Sequence, residues 1–309
     1  MNQPALRTEV SHLAELSNVV VQLETILLGK RRQIKLAVAC LIANGHLLIE
    51  DVPGVGKTTL AQGLSATLGL PWNRLQFTSD LLPADVIGVS VFNTNTHNFE
   101  FKHGPVFTSV LLADEINRAP PKAQSALLEA MEERQISLDG ETYKLDDEFF
   151  VIATQNPTDQ LGTYPLPESQ LDRFLVSIAL GYPDSIEERT LLKTGDRRQS
   201  IQSLEPVAGP LQIKHWSECA TRLHVSDTVI DYIQALLNAS RLGDNGLSPR
   251  AGLSLVRLCK AFAYLNGQNH VTADDVQHVF PALAGHRLTG QVSSGVVAAQ
   301  ALLDSVTAP

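Results

Sequence analysis

The 309-residue chain is 44% hydrophobic and 18% charged, the balance of an ordinary globular protein with length enough for two domains. Its 24 Lys and Arg against 33 Asp and Glu give a formal charge of −9, which speaks against a broad nucleic-acid footprint and leaves room only for a local basic patch. No apolar run approaches the ~20 residues of a membrane span, and the start MNQPALRTEV lacks the basic-then-apolar plan of a signal peptide. Cys40, Cys219 and Cys259 are odd in number and far apart, so they read as buried thiols in a reducing cytoplasm rather than disulfides or metal ligands.

Residues 1–10 read as a loose polar tail, and 11–44 as two helices with Val19, Val20, Leu23 and Ile26 on one apolar face and Ile34, Val38 and Leu41 on the next. HLLIEDVPGVGKTTLAQGL, 46–64, is a buried strand, a glycine-bracketed loop and the start of a helix. LQFT, 75–78, is a second short strand, and alternation on both sides of Asn93-Thr94-Asn95 predicts a hairpin over 89–107. SVLLADE, 109–115, is an apolar strand ending in two carboxylates, and Pro120-Pro121 opens a helix to about Glu133. Asp139-Gly140 turns a second hairpin within 135–148. FFVIATQNP, 149–157, and LVSIAL, 175–180, complete five buried strands interleaved with helices, which implies an α/β fold: an open parallel sheet covered on both faces, with ligands at the carboxyl ends. Beyond Tyr182-Pro183 the strand signals cease. Helical patterns at 184–192, 214–223, 226–241, 249–265 and 273–283, with a polar connector over 195–212, make a second, all-helical domain, so the chain divides into 1–183 and 184–309.

The loop at 51–56 has the anatomy of a phosphate cradle. Pro53, Gly54, Val55 and Gly56 form the turn that lets backbone N–H groups face an anion, the start of the helix at Lys57, Thr58 and Thr59 adds partial positive charge, Lys57 reaches the β and γ phosphates, and the Thr58 hydroxyl suits Mg²⁺. The pattern G-x-x-x-x-G-K-[ST] is incomplete, because its first glycine falls at Asp51; Pro53-Gly54 supplies the turn in its place. Hydrolysis of a γ-phosphate needs charge neutralisation, an oriented water and cations at the transition state. Asp114 suits Mg²⁺ through its water shell, Glu115 suits polarisation of the attacking water, and Asn156 suits its orientation. Arg250, in LSPRAG, projects from the first turn of a helix, where a cation opposes the helix dipole unless an anion is near. Arg173, in QLDRF, sits before the last strand at what would be a subunit edge, aimed at a neighbour's phosphate, which implies a ring.

DVPGVGKTT, VLLADEINRAPPKAQSALLEAMEER, ATQNP, YPLPESQLDRF and SPRA together resemble the MoxR family of AAA+ ATPases, across nearly the whole chain. The resemblance implies ATP and Mg²⁺ as cofactors, Lys57 and Thr58 as Walker A, Asp114 and Glu115 as Walker B, Asn156 as sensor 1, Arg173 as arginine finger and Arg250 as sensor 2. It also implies an αβα core, a helical lid, a hexameric ring, and hairpins 89–107 and 135–148 as the helix-2 insert and pre-sensor-1 hairpin. Gly29, in Leu28-Gly29-Lys30, falls by position near the adenine, with Gln33-Ile34 beside it; roles for Arg118 and Gln76 near Glu115 stay open. Family members are chaperone-like activators of partner proteins, some inserting metal cofactors, often with a von Willebrand factor A domain protein, for which this chain has no room. The hairpin tips Asn93-Thr94-Asn95-Thr96 and Asp139-Gly140-Glu141 lack the Lys and Arg that grip a nucleic-acid backbone, so a protein client is favoured over a nucleic-acid-driven motor of the same branch.

Overall fold

The computed structural model describes residues 3–156, 162–195, 198–243 and 246–309, with side chains from residue 14 onward except at 194, 198 and 199. Two helices, α1 (Gln3–Ile26) and α2 (Arg31–Ile42), precede β1 (Leu47–Glu50) and α3 (Lys57–Thr67). β2 (Trp72–Gln76), α4 (Pro83–Ile87) and the hairpin of β3 (Gly88–Asn93) and β4 (Asn98–His103) follow. Next come β5 (Val110–Asp114), a 3₁₀ turn at Ile116–Arg118, α5 (Pro121–Glu133), and the hairpin of β6 (Gln135–Leu138) and β7 (Glu141–Lys144). β8 (Phe150–Gln155), α6 (Glu168–Leu171) and β9 (Val176–Ile178) complete the strand-bearing part.

The sheet is parallel throughout and ordered β2-β5-β8-β1-β9, so β1 lies between β8 and β9, with Leu47 opposite both Ile152 and Val176. Alternate side chains enter two separate cores. Leu47, Ile49, Val110, Leu112, Phe150 and Ile152 face α1, α2 and α3, and that apolar cluster runs on into the C-terminal helices through Trp216, Ile233, Leu255 and Phe280. Leu48, Leu111, Ala113, Val151 and Ala153 face the opposite way, onto Leu127, Leu128 and Met131 of α5. The predicted α/β architecture is therefore present.

Three expectations need correction. Residues 3–10 are the start of α1 rather than a loose tail; residues 1–2 lie outside the described set. The second strand begins at Trp72 and ends at Gln76, because it is an edge strand whose polar Asn73 and Arg74 hide it from any hydrophobic pattern. The connector over 195–212 contains α8 (Arg198–Gln202) and the start of α9 (Pro210–Thr221), and 196–197 lie outside the described residues, as do 157–161 of the Gly/Pro loop.

The C-terminal part is α7 (Ser185–Thr194), α8, α9, α10 (Asp227–Ser240), α11 (Pro249–Leu265), α12 (Ala273–Thr289) and α13 (Val292–Ser305), plus a two-residue parallel bridge between His224–Val225 and His270–Val271. Its helix starts obey the expected chemistry: Asp184, Ser226, Ser248 and Thr272 each accept backbone N–H groups of the first turn. α12 runs through Pro281 to Thr289, six residues past the expected end at 283, and α13 follows where no helix is expected. These two helices cross where Gly285 meets Gly295, and a Cβ on Gly295 would lie 2.2 Å from the Gly285 carbonyl oxygen.

Candidate active site

β1 delivers the chain into the loop from Asp51 to Gly56, where Gly54 and Gly56 hold φ of 86° and 104°, a region that a side chain disfavours. Gly56 precedes α3 without any side-chain cap, so the first-turn N–H groups of Lys57, Thr58 and Thr59 face the loop, ready for an anion. Pro53 and Gly54 are exposed, whereas Val55, Thr58 and Thr59 are half-buried. Lys57 donates through Nζ to the Asp51 carbonyl at 2.7 Å and approaches the Gln155 carbonyl at 3.5 Å. Burial depresses its pKa, and the fields of Asp114, Asp51 and Glu115 oppose that shift.

Asp51, where a glycine was expected, has a structural duty. Its carboxylate accepts the N–H of Val52 at 2.8 Å and of Gly181 at 2.6 Å, tying the loop to the chain leaving β9. Beside the loop is a cleft of about 310 Å³ lined by Leu27, Leu28, Lys30, Val55, Thr59 and Pro183. Gly29 lies between two of these lining residues, with φ of 66°, which a side chain disfavours, and with the end of the Glu187 side chain against it.

β5 places Asp114 and Glu115 at its carboxyl end, and β8, one strand nearer β1, places Asn156. Thr154, fully buried on β8, joins these groups: its hydroxyl donates to Asp114 Oδ1 at 2.6 Å and accepts the Glu115 N–H at 2.9 Å. Glu115 itself has φ 56°, so this bond restrains a strained backbone. The Glu115 carboxylate receives Gln76 Nε2 at 3.0 Å and Arg118 Nη1 at 3.0 Å, and Arg74 from β2 pairs with Asp114 Oδ2 at 2.7 Å. The sequence reading missed Thr154, Arg74 and the anchoring role of Asp51. Thr154 alone carried a signal, two residues before Asn156 in ATQNP.

Arg173 and Arg250 lie elsewhere. Both pair with Glu132 on α5, at 3.1 and 3.0 Å. They share a recess of about 180 Å³ with Asn44, Gly45 and His46, which lead into the amino end of β1, whereas the phosphate loop leaves its carboxyl end. The structure therefore gathers Lys57, Thr58, Asp114, Glu115 and Asn156 at one end of the sheet, and Arg173 with Arg250 at the other. Arg250, read as sensor 2, therefore lies beside Arg173 rather than beside Lys57.

A model of the "ATPase family associated with various cellular activities (AAA)" matches residues 46–176, and a model of the AAA lid domain matches 237–306. Chaperone MoxR1 of Mycobacterium tuberculosis is 37% identical over 88% of this chain and 75% of its own length. The protein MoxR of Paracoccus denitrificans is 32% identical over 86% of each. This chain belongs to the MoxR family of AAA+ ATPases. A crystal structure of a protein from Cytophaga hutchinsonii has the same fold, with a TM-score of 0.88 at 32% identity over 99% of this chain and 98% of that one. MoxR membership makes the chain a nucleotide-binding ATPase of a class that typically assembles as rings. Among the described residues no helix is long and apolar enough to cross a membrane.

Proposed function

We propose that the protein is a Mg²⁺-dependent ATP hydrolase, assembled as a ring, that remodels or activates a protein client with a separate von Willebrand factor A domain protein as adaptor. What carries this reading is the split of the site: phosphate loop, acidic pair and Asn156 at one end of the sheet, two arginines at the other. Such a subunit binds nucleotide at its own loop and presents Arg173 and Arg250 to the nucleotide of an adjoining copy. In its own site, Lys57 and the first-turn N–H groups of α3 hold the phosphates, Glu115 takes the proton of the attacking water, and Asn156 orients that water. Gln76, bonded to Glu115 at 3.0 Å, restrains that base until a client engages.

The acidic end of β5 fits a divalent cation. Asp114 already holds a positive group, the Arg74 guanidinium, and no cluster of three or more metal-ligating side chains occurs among the described residues, as suits an ion bound mainly by phosphates and water. Thr58 and Asp114 would hold Mg²⁺, which when bound neutralises charge on the phosphates.

The client reading draws support from the first hairpin, where Phe92 and Phe99 stack edge-to-face at 5.4 Å while remaining 47% and 73% exposed, beside Glu100 rather than any cluster of cations. Phe101 packs against Tyr143 at 4.3 Å, so the two hairpins touch through aromatic rings. Division of the chain at 183 belongs to the same proposal, supported by the capped start of α7 at Asp184. The test is Glu115→Gln: this protein should bind ATP, lose turnover, and retain client and adaptor in a pull-down. Turnover at the wild-type rate would refute the assignment, and turnover stimulated by DNA with a steep salt dependence would replace the protein client by nucleic acid.

A further inference from the structure

Glu132 stands near the end of α5, and its two carboxylate oxygens serve different arginines: Oε2 meets Arg173 Nη2 at 3.1 Å and Oε1 meets Arg250 Nη2 at 3.0 Å. One arginine comes from the loop between α6 and β9, the other from the first turn of α11. Both remain partly open to solvent, at 28% and 55%. Five arginines, 134, 173, 250, 257 and 287, line this recess against the two carboxylates Glu132 and Asp172, an excess of 5 − 2 = 3 positive charges in a chain whose net charge is −9. Asp172 is committed to Arg287, whose Nε donates to it at 2.7 Å. Arg287 also donates to the Phe174 carbonyl at 2.8 Å and the Asp172 carbonyl at 3.1 Å, so α12 fixes the loop that bears Arg173. Glu132 is therefore the carboxylate that spans the two open guanidiniums.

The geometry points to Glu132 as a positioning residue that holds Arg173 and Arg250 together as a two-pronged clamp for the terminal phosphate bound in an adjoining subunit. This inference rests on the ring reading above. Alone, the two cations would repel each other and sample many rotamers; a carboxylate between them screens the repulsion and fixes their spacing. Each guanidinium has five N–H donors, so the bond to Glu132 leaves others for phosphate oxygens. Because α5 belongs to the sheet-bearing part and α11 to the helical part, the clamp exists only when these two parts are seated on each other.

Glu132→Gln keeps the shape and removes the charge. Its turnover should fall on the order of 10- to 100-fold, the effect of misplacing transition-state groups, while KM for ATP and the affinity for a fluorescent ATP analogue stay within about twofold of wild type. Glu132→Asp, which keeps the charge on a shorter stem, should retain more turnover than the amide. Mixing Glu132→Gln with Lys57→Ala protein should restore activity, because the Lys57→Ala subunits bring an intact clamp to the Glu132→Gln nucleotide sites. Unchanged turnover in Glu132→Gln, or an equal rise in KM, would overturn the inference. The mixture of Arg173→Ala with Lys57→Ala separates the two levels of the argument. If that pair complements and Glu132→Gln does not, the clamp is refuted and the ring reading stands; if neither complements, both fall.

Discussion

Replacing Thr154 by Val tests whether β8 aligns the acidic pair. The substitution keeps the branched shape and deletes the hydroxyl that donates to Asp114 Oδ1 at 2.6 Å and accepts the Glu115 N–H at 2.9 Å. Because Thr154 is fully buried, water cannot replace it. Stranding the Glu115 N–H costs about 1–3 kcal/mol, and the lost bond to a carboxylate about 1.5–3 kcal/mol; the two effects share one atom and overlap, which gives a loss of about 3 kcal/mol in stability. Turnover should suffer as well, since the Glu115 backbone, at φ 56°, is freed to relax and carry its carboxylate away. A displacement near 1 Å corresponds to about 10²-fold in kcat. Urea unfolding measures the first quantity and steady-state ATP hydrolysis at saturating nucleotide the second. Thr154→Ser, which retains the hydroxyl and loses one methyl, should recover most of the turnover at a cost of about 1 kcal/mol in stability. A Thr154→Val protein that is destabilised yet turns over at the wild-type rate would show that Asp114 and Glu115 need no alignment from β8, and the convergence argued for this site would fail.

Arg74→Gln removes the cation paired with Asp114 at 2.7 Å and should lower the Mg²⁺ concentration needed for half-maximal binding of a fluorescent nucleotide several-fold; an unchanged Mg²⁺ titration would mean that Arg74 does not stand in the ion's place. Gly295→Ala puts a Cβ 2.2 Å from the Gly285 carbonyl oxygen, so α12 and α13 must separate; overpacking of about 1–3 kcal/mol should outweigh the better helix propensity of Ala, and an unaltered urea midpoint would refute the crossing. His46 is pushed down to about 3, first by burial and then by Arg134, and its ring takes the Val151 N–H on Nδ1 at 3.0 Å and meets the Met131 carbonyl through Nε2 at 3.1 Å, an arrangement that needs the neutral form. The unfolded chain therefore binds a proton near pH 6.5 that the folded one refuses, so His46 contributes stability in full above that pH and loses it, at about 1.4 kcal/mol per pH unit, as the pH falls toward 3; in His46→Asn the stability curve should be shallower across that window.

Much of the sheet was legible because its strands are buried on both faces and end in chemistry. SVLLADE and FFVIATQNP are continuous apolar runs closed by Asp114-Glu115 and by Asn156, and a parallel strand order follows from their alternation with helices. What escaped was whatever depends on partners distant in sequence. β2 is polar at Asn73 and Arg74 because it forms the sheet's edge, and its value lies in reaching Asp114 on the next strand. α13 escaped because VSSGVVAAQALL mixes small and apolar residues around a crossing that only the backbone of Gly285 explains. The end of the sheet at which Arg250 falls was not legible for a like reason. The first-turn location in α11 was legible through Ser248 and Pro249, but the end of the sheet on which α11 rests depends on how the helical part packs, and no local pattern encodes that.

That packing links the two ends of the sheet through a single corner. Arg287, near the end of α12, holds Asp172 and the loop bearing Arg173, while the backbone N–H of Val292, at the start of α13, donates to the carboxylate of Glu50 at 3.2 Å. Glu50 is the last residue of β1, immediately before the phosphate loop. Only Gly290, at φ 71°, and Gln291 separate Thr289, the last residue of α12, from Val292, and the close approach of Gly285 and Gly295 packs α12 directly against α13. If the helical part turned about the sheet in the proposed ring, the contacts at Glu50 and Asp172 would both be perturbed. Burial raises the pKa of Glu50, so a neutral side chain at this contact is disfavoured less than at the surface, and the bond to Val292 opposes that shift. In the proposed ring, the corner formed by α12 and α13 therefore touches both Glu50, the residue before one phosphate loop, and the loop that bears Arg173, the arginine proposed for the neighbour's nucleotide.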